Sequence, residues 1–327
     1  MASPPVSDSA FPDAGKPSPQ SVDELLKYAR AQLGLGPERP WRLISSHLKL
    51  RKVFFEVEEL GREGPRRIIG KVASSKKSRG AYDILRRLWS AGLCPPSPHC
   101  VCEPLAYFPE QNLLLQERAP GTQLLELVSN QSSSRGDIDR AAEWLITLQR
   151  LCLPDTTKGQ TLELDRPLSE LQAAIPAQAG RIAVIAEYIT ENLETPGLQV
   201  PSHGDYHLMN IYLNEKRVTA IDLDTFALRE PMIDAAYFIA QSAIMGFHTF
   251  QSFEPTEHVR AQFASAYQQY APEQFDMERI RVHVALAFLR SLHYDFCILK
   301  TNPVDTVNPF LSAAERCMGG ESIRLAA

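Results

Sequence analysis

Residues 200–238 read VPSHGDYHLMNIYLNEKRVTAIDLDTFALREPMIDAAYF, and the pattern of this block decides the fold. It contains the tripeptide His-Gly-Asp, which ends at Asp205, and Asn210 follows after four intervening residues. A short apolar run, a polar turn and a second apolar run come next, which is the pattern of a β-hairpin. Asp222 and Asp224 stand directly after the second run. The block therefore places an amide and several carboxylates around one predicted hairpin.

The predicted hairpin brings these oxygen-bearing side chains to one end. If the polar turn at residues 214–217 is its centre, Asn210 lies beside Ile221 and Asp222, and Asp205 lies a few residues upstream. Phosphoryl transfer requires a carboxylate that orients the acceptor hydroxyl and takes its proton. It also requires oxygen ligands that hold Mg²⁺ on the nucleotide phosphates. The pattern therefore favours a phosphoryl-transfer site.

The same block resembles the aminoglycoside phosphotransferase and choline kinase family, whose signature is H-G-D-x-x-x-x-N followed by a hydrophobic-Asp motif. The resemblance implies that Asp205 is the catalytic residue. It also implies that Asn210 and Asp222 bind the metal and, with it, the nucleotide. Two roles stay open for Asp224, as a ligand of a second Mg²⁺ or as a hydrogen-bonding residue within the loop. Roles stay open for His207 as well: it shapes the loop, contacts phosphate, or is a structural histidine with its hydrogen bonds satisfied.

Before this block, the chain is predicted to form a small lobe rich in strands. Residues 41–118 show the order strand, strand, strand, helix, strand, strand. Amphipathic helical patterns dominate the rest of the chain. With the resemblance, this predicts an α+β, two-lobed, protein-kinase-like fold. A disordered leader at 1–20 precedes a nucleotide-binding lobe at 21–118, with a mostly antiparallel sheet and one helix. A larger helical lobe at 119–327 carries the catalytic and substrate-binding residues.

Lys71 is the candidate phosphate-binding residue of the first lobe. It lies in the apolar strand pattern IIGKVAS, where a lysine is costly unless it has a partner or a ligand. The family has its phosphate-binding lysine on the third strand, so the resemblance gives Lys71 that role. The alternative is an edge-strand lysine whose ammonium group reaches water. The family's partner glutamate falls at Ala81, and the nearest acid is Asp83.

Two segments depart from the family pattern. Arg229 and Glu230 stand where the family has Gly and Asp, outside the residues that carry the chemistry. Residues 43–53 contain no glycine, although protein kinases cover the phosphates with a glycine-rich loop. Ser45 and Ser46 offer hydroxyl and backbone donors there instead.

The composition is that of a soluble globular protein. Of 327 residues, 44% are hydrophobic and 22% are charged, and no apolar run is long enough to cross a membrane. Six cysteines without an export signal indicate reduced thiols and a cytoplasmic protein. The net charge of −5 argues against nucleic acid as a partner. Residues 41–120 carry 14 basic and 8 acidic residues, whereas residues 121–327 carry 16 and 26.

We therefore predict a phosphotransferase that moves the γ-phosphoryl of ATP, or of another nucleoside triphosphate, to an alcohol group of a small molecule with Mg²⁺ as cofactor. The acidic second lobe suits a polycationic acceptor such as an aminoglycoside. Amino alcohols, sugars and homoserine-like amino acids are the competing acceptors. The second hypothesis is a catalytically silent nucleotide-binding module with a regulatory or partner-binding role. The missing glycine-rich loop and helix glutamate favour it, and the intact Asp205, Asn210 and Asp222 oppose it.

Overall fold

The computed structural model describes most of the chain, namely residues 19–36, 39–49, 52–61, 64–153, 156, 165–193 and 198–320. The predicted leader, residues 1–20, lies outside the described residues except for its last two positions. The chain divides into two compact units. Unit 1 comprises Met1–Tyr82 and Pro104–Arg118, and unit 2 comprises Asp83–Glu103 and Ala119–Ala327.

The helices and strands follow one another along the described residues. They are α1 (Pro19–Gln32), β1 (Trp41–Lys49), β2 (Lys52–Gly61), β3 (Gly64–Val72), α2 (Ser75–Ser90), β4 (His99–Val101), β5 (Pro104–Phe108), β6 (Leu113–Glu117), β7 (Thr122–Gln123), α3 (Leu124–Ser129), α4 (Arg135–Gln149), α5 (Asp165–Ala174), α6 (Ala179–Leu193), β8 (Val200–Ser202), β9 (Ile211–Leu213), β10 (Val218–Ala220), β11 (Ala227–Arg229), α7 (Met232–Phe250), α8 (Glu257–Tyr270), α9 (Met277–His293) and α10 (Val304–Met318). Short 3₁₀ turns lie at Leu208–Asn210 and Leu223–Thr225.

A five-stranded sheet forms the body of unit 1. Its strand order is β1-β2-β3-β6-β5, and all neighbours are antiparallel. The three N-terminal strands are rich in β-branched and aromatic residues, which favour a pleated, half-buried surface. The mostly antiparallel sheet that the sequence predicts is therefore confirmed.

One face of this sheet is covered by α1. The helix presents Val22, Leu26 and Ala29 at the i, i+4, i+7 spacing of an apolar stripe. The buried residues of this core are Val22, Leu26, Ala29, Val53, Phe55, Val57, Ile68, Leu113 and Leu115. At about 25 cal/mol per Å² of apolar surface, burial of these side chains is the main stabilising term of the unit.

Residues 83–103 pack with unit 2, although the sequence places them in the first lobe. The physical reason is a strand pairing that the local pattern does not reveal. β4 pairs in parallel with β10, matching Val218 to His99 and Ala220 to Val101. Trp144 on α4 then donates its indole N–H to the carbonyl oxygen of Cys100 at 2.8 Å.

Helices dominate unit 2, as the sequence predicts. α4 packs on α8, and α9 packs on both α7 and α10. α7 is apolar on nearly every side and is buried along most of its length. Phe238 on α7 stacks on Phe263 of α8 with ring centroids 3.8 Å apart. In the described part of the chain, no helix is both long and apolar enough to cross a membrane.

Candidate active site

The predicted hairpin is confirmed, and its register agrees with the sequence-based pairing. β9 and β10 are antiparallel, with Leu213 opposite Val218 and Ile211 opposite Ala220. One position further along, Asn210 stands opposite Ile221, whose N–H donates to the carbonyl oxygen of Asn210 at 2.9 Å. Asp222 follows at once, so Asn210 and Asp222 come from neighbouring ends of the same two strands.

The loop that carries Asp205 is anchored by Asp234, a fully buried carboxylate in the first turn of α7. One oxygen of Asp234 accepts from the Ser202 hydroxyl at 2.8 Å and from the His203 N–H at 2.7 Å. The other oxygen accepts from the Gly204 N–H at 2.8 Å. A carboxylate that accepts three hydrogen bonds fixes the backbone just before the catalytic candidate.

His203 joins this loop to the residue that precedes Asp222. Its Nε2 lies 2.9 Å from the carbonyl oxygen of Ile221, and because a carbonyl only accepts, Nε2 carries the hydrogen. Nδ1 accepts from the Asp205 N–H at 3.3 Å. Burial lowers the pKa of His203, which keeps the ring neutral and both hydrogen bonds in place. The ring is therefore a structural link between the two loops.

Gly204 is required by the close approach of its neighbours. Its φ is +81°, and an added Cβ would lie 2.7 Å from the carbonyl oxygen of Thr225 and would collide with Arg229 Nη1. The Thr225 hydroxyl donates to the carbonyl oxygen of His203 at 3.0 Å, and this hydrogen bond holds the two loops together beside Gly204. A larger residue here would separate them.

Tyr206 holds the other side of Asp205. It is fully buried, stacks on Trp144 with centroids 5.4 Å apart, and donates its hydroxyl to the carbonyl oxygen of Ala141 at 2.7 Å. Asp205 thus stands between a buried aromatic anchor and the backbone held by Asp234, which limits its movement.

The environment of Asp205 keeps its carboxylate ionised. Burial raises its pKa, but hydrogen bonds from His207 and Tyr237 outweigh burial and lower it to about 2. The Met209 N–H donates to His207 Nδ1 at 3.2 Å, and His207 Nε2 lies 3.5 Å from Asp205 Oδ1 and 3.1 Å from the Asn210 amide nitrogen. Tyr237 donates from α7, one helical turn after Asp234. His207 therefore makes its contacts within the loop, with Met209 and Asp205, and contact with phosphate stays a prediction.

Asn210 is buried beside Asp205, and its side-chain amide is oriented by hydrogen bonding to Asp205. Its amide nitrogen donates to the Asp205 carbonyl oxygen at 2.9 Å and lies 3.4 Å from Asp205 Oδ2. Since the nitrogen is used in this way, Oδ1 is the atom that remains for a cation. The predicted ligand type, an amide oxygen, is therefore available at this position.

Asp222 and Asp224 lie at the turn that follows the hairpin. Asp222 has a left-handed backbone, with φ of 61°, and precedes the 3₁₀ turn that contains Asp224. Among the described residues, no group of three or more His, Cys, Asp or Glu side chains is arranged to hold a metal ion. A Mg²⁺ ion bound by one or two carboxylates, an amide oxygen, water and phosphate does not need such a group. The donor set of Asn210 and Asp222 therefore fits that ion.

Glu230, one of the departures from the family pattern, joins the segment before α7 to α9. Arg279 donates two hydrogen bonds to its carboxylate, and His283 Nε2 lies 3.1 Å from Oε2. Burial raises the pKa of Glu230, but these partners outweigh it and lower the pKa to about 2. Glu230 is therefore a structural residue whose carboxylate binds Arg279 and His283 of α9.

Lys71 lies on β3, which pairs with β2 on one side and β6 on the other. The alternative of an edge-strand lysine is therefore wrong. Lys71 is only 7% exposed, and its ammonium nitrogen lies 5.8 Å from the centroid of the Phe54 ring on β2. The pairing of Lys71 with Asp83 stays a prediction, and so does contact with phosphate.

Sequence reasoning finds neither Tyr237 nor the hydrogen bonds of Asp234. Both lie more than 25 residues from Asp205 in the chain and reach it through the start of α7. One signal was present, because Asp234 and Tyr237 stand three residues apart, which places them on one side of a helix. Their partners are set by tertiary packing.

Known proteins resemble this chain in sequence pattern and in fold. The family model described as "Phosphotransferase enzyme family" matches residues 41–283. A choline kinase from Cryptosporidium parvum Iowa II superimposes with a TM-score of 0.61 at 14% identity, covering 91% of this chain and 96% of that one. An amicoumacin kinase in complex with AMP-PNP and Ca²⁺ gives 0.58 at 15% identity, covering 92% and 94%.

A third structure, an ADP-bound aminoglycoside phosphotransferase, gives a TM-score of 0.56 at 14% identity, covering 90% of this chain and 97% of that one. No protein among the curated sequences matches. The structural likenesses confirm the predicted α+β, kinase-like fold. With a family model that spans most of its length, the chain belongs to the phosphotransferase enzyme family.

Proposed function

We propose that this protein is a small-molecule kinase that transfers the γ-phosphoryl of ATP, or of another nucleoside triphosphate, to a hydroxyl of a small acceptor. The observation that carries the proposal is the setting of Asp205. Its carboxylate is kept ionised by His207 and Tyr237 and lies against Asn210, while Asp222 stands at the end of the adjoining strand. Membership of the phosphotransferase family supports the same reaction class.

In this mechanism Asp205 orients the acceptor hydroxyl and receives its proton. A carboxylate with a pKa of about 2 is a weak base, so the proton moves late, as the acceptor oxygen bonds to phosphorus and becomes acidic. The bond between the γ-phosphorus and its bridging oxygen breaks, and the nucleoside diphosphate leaves with that oxygen. Rate enhancement then comes mainly from the positioning of the acceptor.

Asn210 Oδ1 and the Asp222 carboxylate would hold Mg²⁺, with Asp224 as a further ligand or a hydrogen-bonding residue of the turn. When bound, the ion neutralises charge on the nucleotide phosphates. In the proposal, Lys71 contributes a positive charge from unit 1. Unit 1 is then the nucleotide-binding part, and unit 2 carries the catalytic and acceptor-binding residues.

The acceptor that we propose is a small molecule with an amino group. Residues 121–327 carry ten more acidic than basic residues, which favours a cationic partner. Solved structures of similar fold are named as choline, aminoglycoside and fructosamine kinases, which supports this choice. Amino alcohols and aminoglycosides are therefore the preferred acceptors in this proposal, ahead of sugars. A cytoplasmic location is part of the proposal and rests on the reduced cysteines that the sequence indicates.

The test is nucleoside diphosphate release with MgATP or MgGTP across aminoglycosides, amino alcohols, sugars and amino acids. We expect turnover on an amine-bearing class, lost in Asp222→Asn and retained in Asp305→Asn, an exposed aspartate of α10. Turnover on a neutral sugar alone would contradict the proposed amine-bearing acceptor and leave the proposed kinase activity standing. Binding of MgATP without turnover on any acceptor would contradict the kinase and favour the silent nucleotide-binding module.

A further inference from the structure

The sheet of unit 1 has a second face, opposite the one that α1 covers. Residues directly opposite each other on neighbouring antiparallel strands share a face. His47 pairs with Phe54, and Phe54 pairs with Lys71, so these three residues form one row across β1, β2 and β3. The alternate residue Phe55 points to the α1 core. We call the row of His47, Phe54 and Lys71 the lysine row.

The side chains of the lysine row are in contact. The rings of His47 and Phe54 are stacked, with centroids 5.3 Å apart and planes inclined by 13°. Lys71 Nζ lies 5.8 Å from the Phe54 centroid on the other side of the row. Phe54 is half-buried, and His47 is exposed. The phenyl ring therefore supports an accessible imidazole beside a buried cation.

The hairpin of β1 and β2 has no means of binding phosphate through a glycine-rich turn. Such a turn aims successive backbone N–H groups at the anion, and glycine permits the backbone angles that this needs. Residues 43–53 contain no glycine, and β1 continues in regular pairing to Lys49, opposite Lys52. The β1 N–H groups that bond to β2 are not available to a phosphate. Side chains on the face of Lys71 are therefore candidate donors for a phosphate.

The register also decides between the two serines. Ser45 pairs with Glu56, on the same face as Phe54, whereas Ser46 pairs with Phe55, on the α1 face. An irregularity between Leu43 and Ser45 sets this phase. Ser45 and His47 both lie on this face of β1, and His47 is the one that stands directly opposite Phe54.

We propose that His47, supported by Phe54, donates a hydrogen bond to a phosphate oxygen of the nucleotide next to the phosphate bound by Lys71. This inference rests on the proposed function, since it takes a nucleoside triphosphate as substrate. Strands in a sheet are about 4.8 Å apart, so the backbones of His47 and Lys71 are about 10 Å apart. Side chains from these two positions reach different phosphates of one chain. The hairpin then recognises the triphosphate by side-chain donors in place of a backbone nest.

The test measures equilibrium binding of MgATP and of adenosine to the full chain by calorimetry. We expect His47→Ala to weaken MgATP binding about 10-fold, the loss of one hydrogen bond to a charged group. His47→Gln keeps a donor, and we expect a loss of about 3-fold. Adenosine affinity should stay unchanged, because the contact is to phosphate. The matched control is His258→Ala, at an exposed histidine of α8, which should bind as wild type does.

Turnover gives a second readout. Because the proposed contact is to a phosphate of the bound nucleotide, His47→Ala should raise KM for MgATP and leave kcat within about 2-fold. Unchanged MgATP affinity in folded His47→Ala would overturn the inference while leaving the kinase proposal intact. An equal loss for adenosine would overturn it too, since it would indicate stacking on the base. If wild-type protein binds no MgATP, the proposed function fails and the inference fails with it.

Discussion

Replacement of Asp234 by asparagine is the perturbation whose effect is best defined by the structure. The two carboxylate oxygens accept three hydrogen bonds, from the Ser202 hydroxyl and from the N–H groups of His203 and Gly204. The side chain of asparagine has only one oxygen. Its NH₂ group therefore replaces one of the two acceptor oxygens and faces a backbone N–H, so that two donors oppose each other. The variant therefore loses a charge-assisted hydrogen bond and leaves a buried donor without a partner.

Each of these losses costs about 1.5 to 3 kcal/mol, and we expect Asp234→Asn to lower the free energy of unfolding by about 3 kcal/mol. Gly204 precedes Asp205, so repulsion at its N–H displaces the catalytic candidate. A misplacement of about 1 Å costs about 100-fold in rate, and we expect kcat to fall by that factor.

Urea unfolding and MgATP-dependent turnover measure the two effects. The control is Asp305→Asn, the same change at an exposed position of α10, which should alter stability by less than about 0.5 kcal/mol. An Asp234→Asn protein with wild-type stability and wild-type kcat would refute the account of how the loop is held.

Two further substitutions test the electrostatics. Tyr237→Phe removes a donor to Asp205, so the pKa of Asp205 should rise from about 2 towards its ordinary 3.8. The acid limb of the kcat profile should move up, and turnover at pH 7.5 should fall less than about 10-fold; an unchanged profile would contradict the contact. Arg279 and His283 lower the pKa of the Glu230 carboxyl from 4.5 to about 2. Its stabilisation is full above pH 4.5 and is lost as the pH falls towards 2. Glu230→Gln should therefore cost about 2 to 3 kcal/mol at pH 7 and clearly less at pH 3 by urea unfolding, and a pH-independent difference would be inconsistent with the ion pair.

The hairpin and its register are predictable because local sequence determines them. A polar turn between two short apolar runs leaves one pairing that buries both strands, and this pairing brings Asn210 beside Asp222. The five-stranded sheet is predictable for the same reason, since hairpins connect its first three strands.

The interactions that hold Asp205 are not predictable from local pattern. Asp234 and Tyr237 act from a helix, and their partners become neighbours only when α7 packs under the loop. The pairing of β4 with β10 joins residues more than 100 positions apart, so the boundary of unit 1 near residue 83 has no local signal either. Long-range packing decides both features.

Asp205→Asn tests the central claim most directly, because the amide keeps the size of the side chain and removes the charge that receives the proton. MgATP affinity and turnover on the best acceptor should be measured on the same preparation. The account predicts MgATP binding within about 3-fold of wild type and a fall in kcat of at least about 100-fold. Turnover within about 10-fold of wild type would contradict the assignment of Asp205 as the residue that takes the acceptor proton.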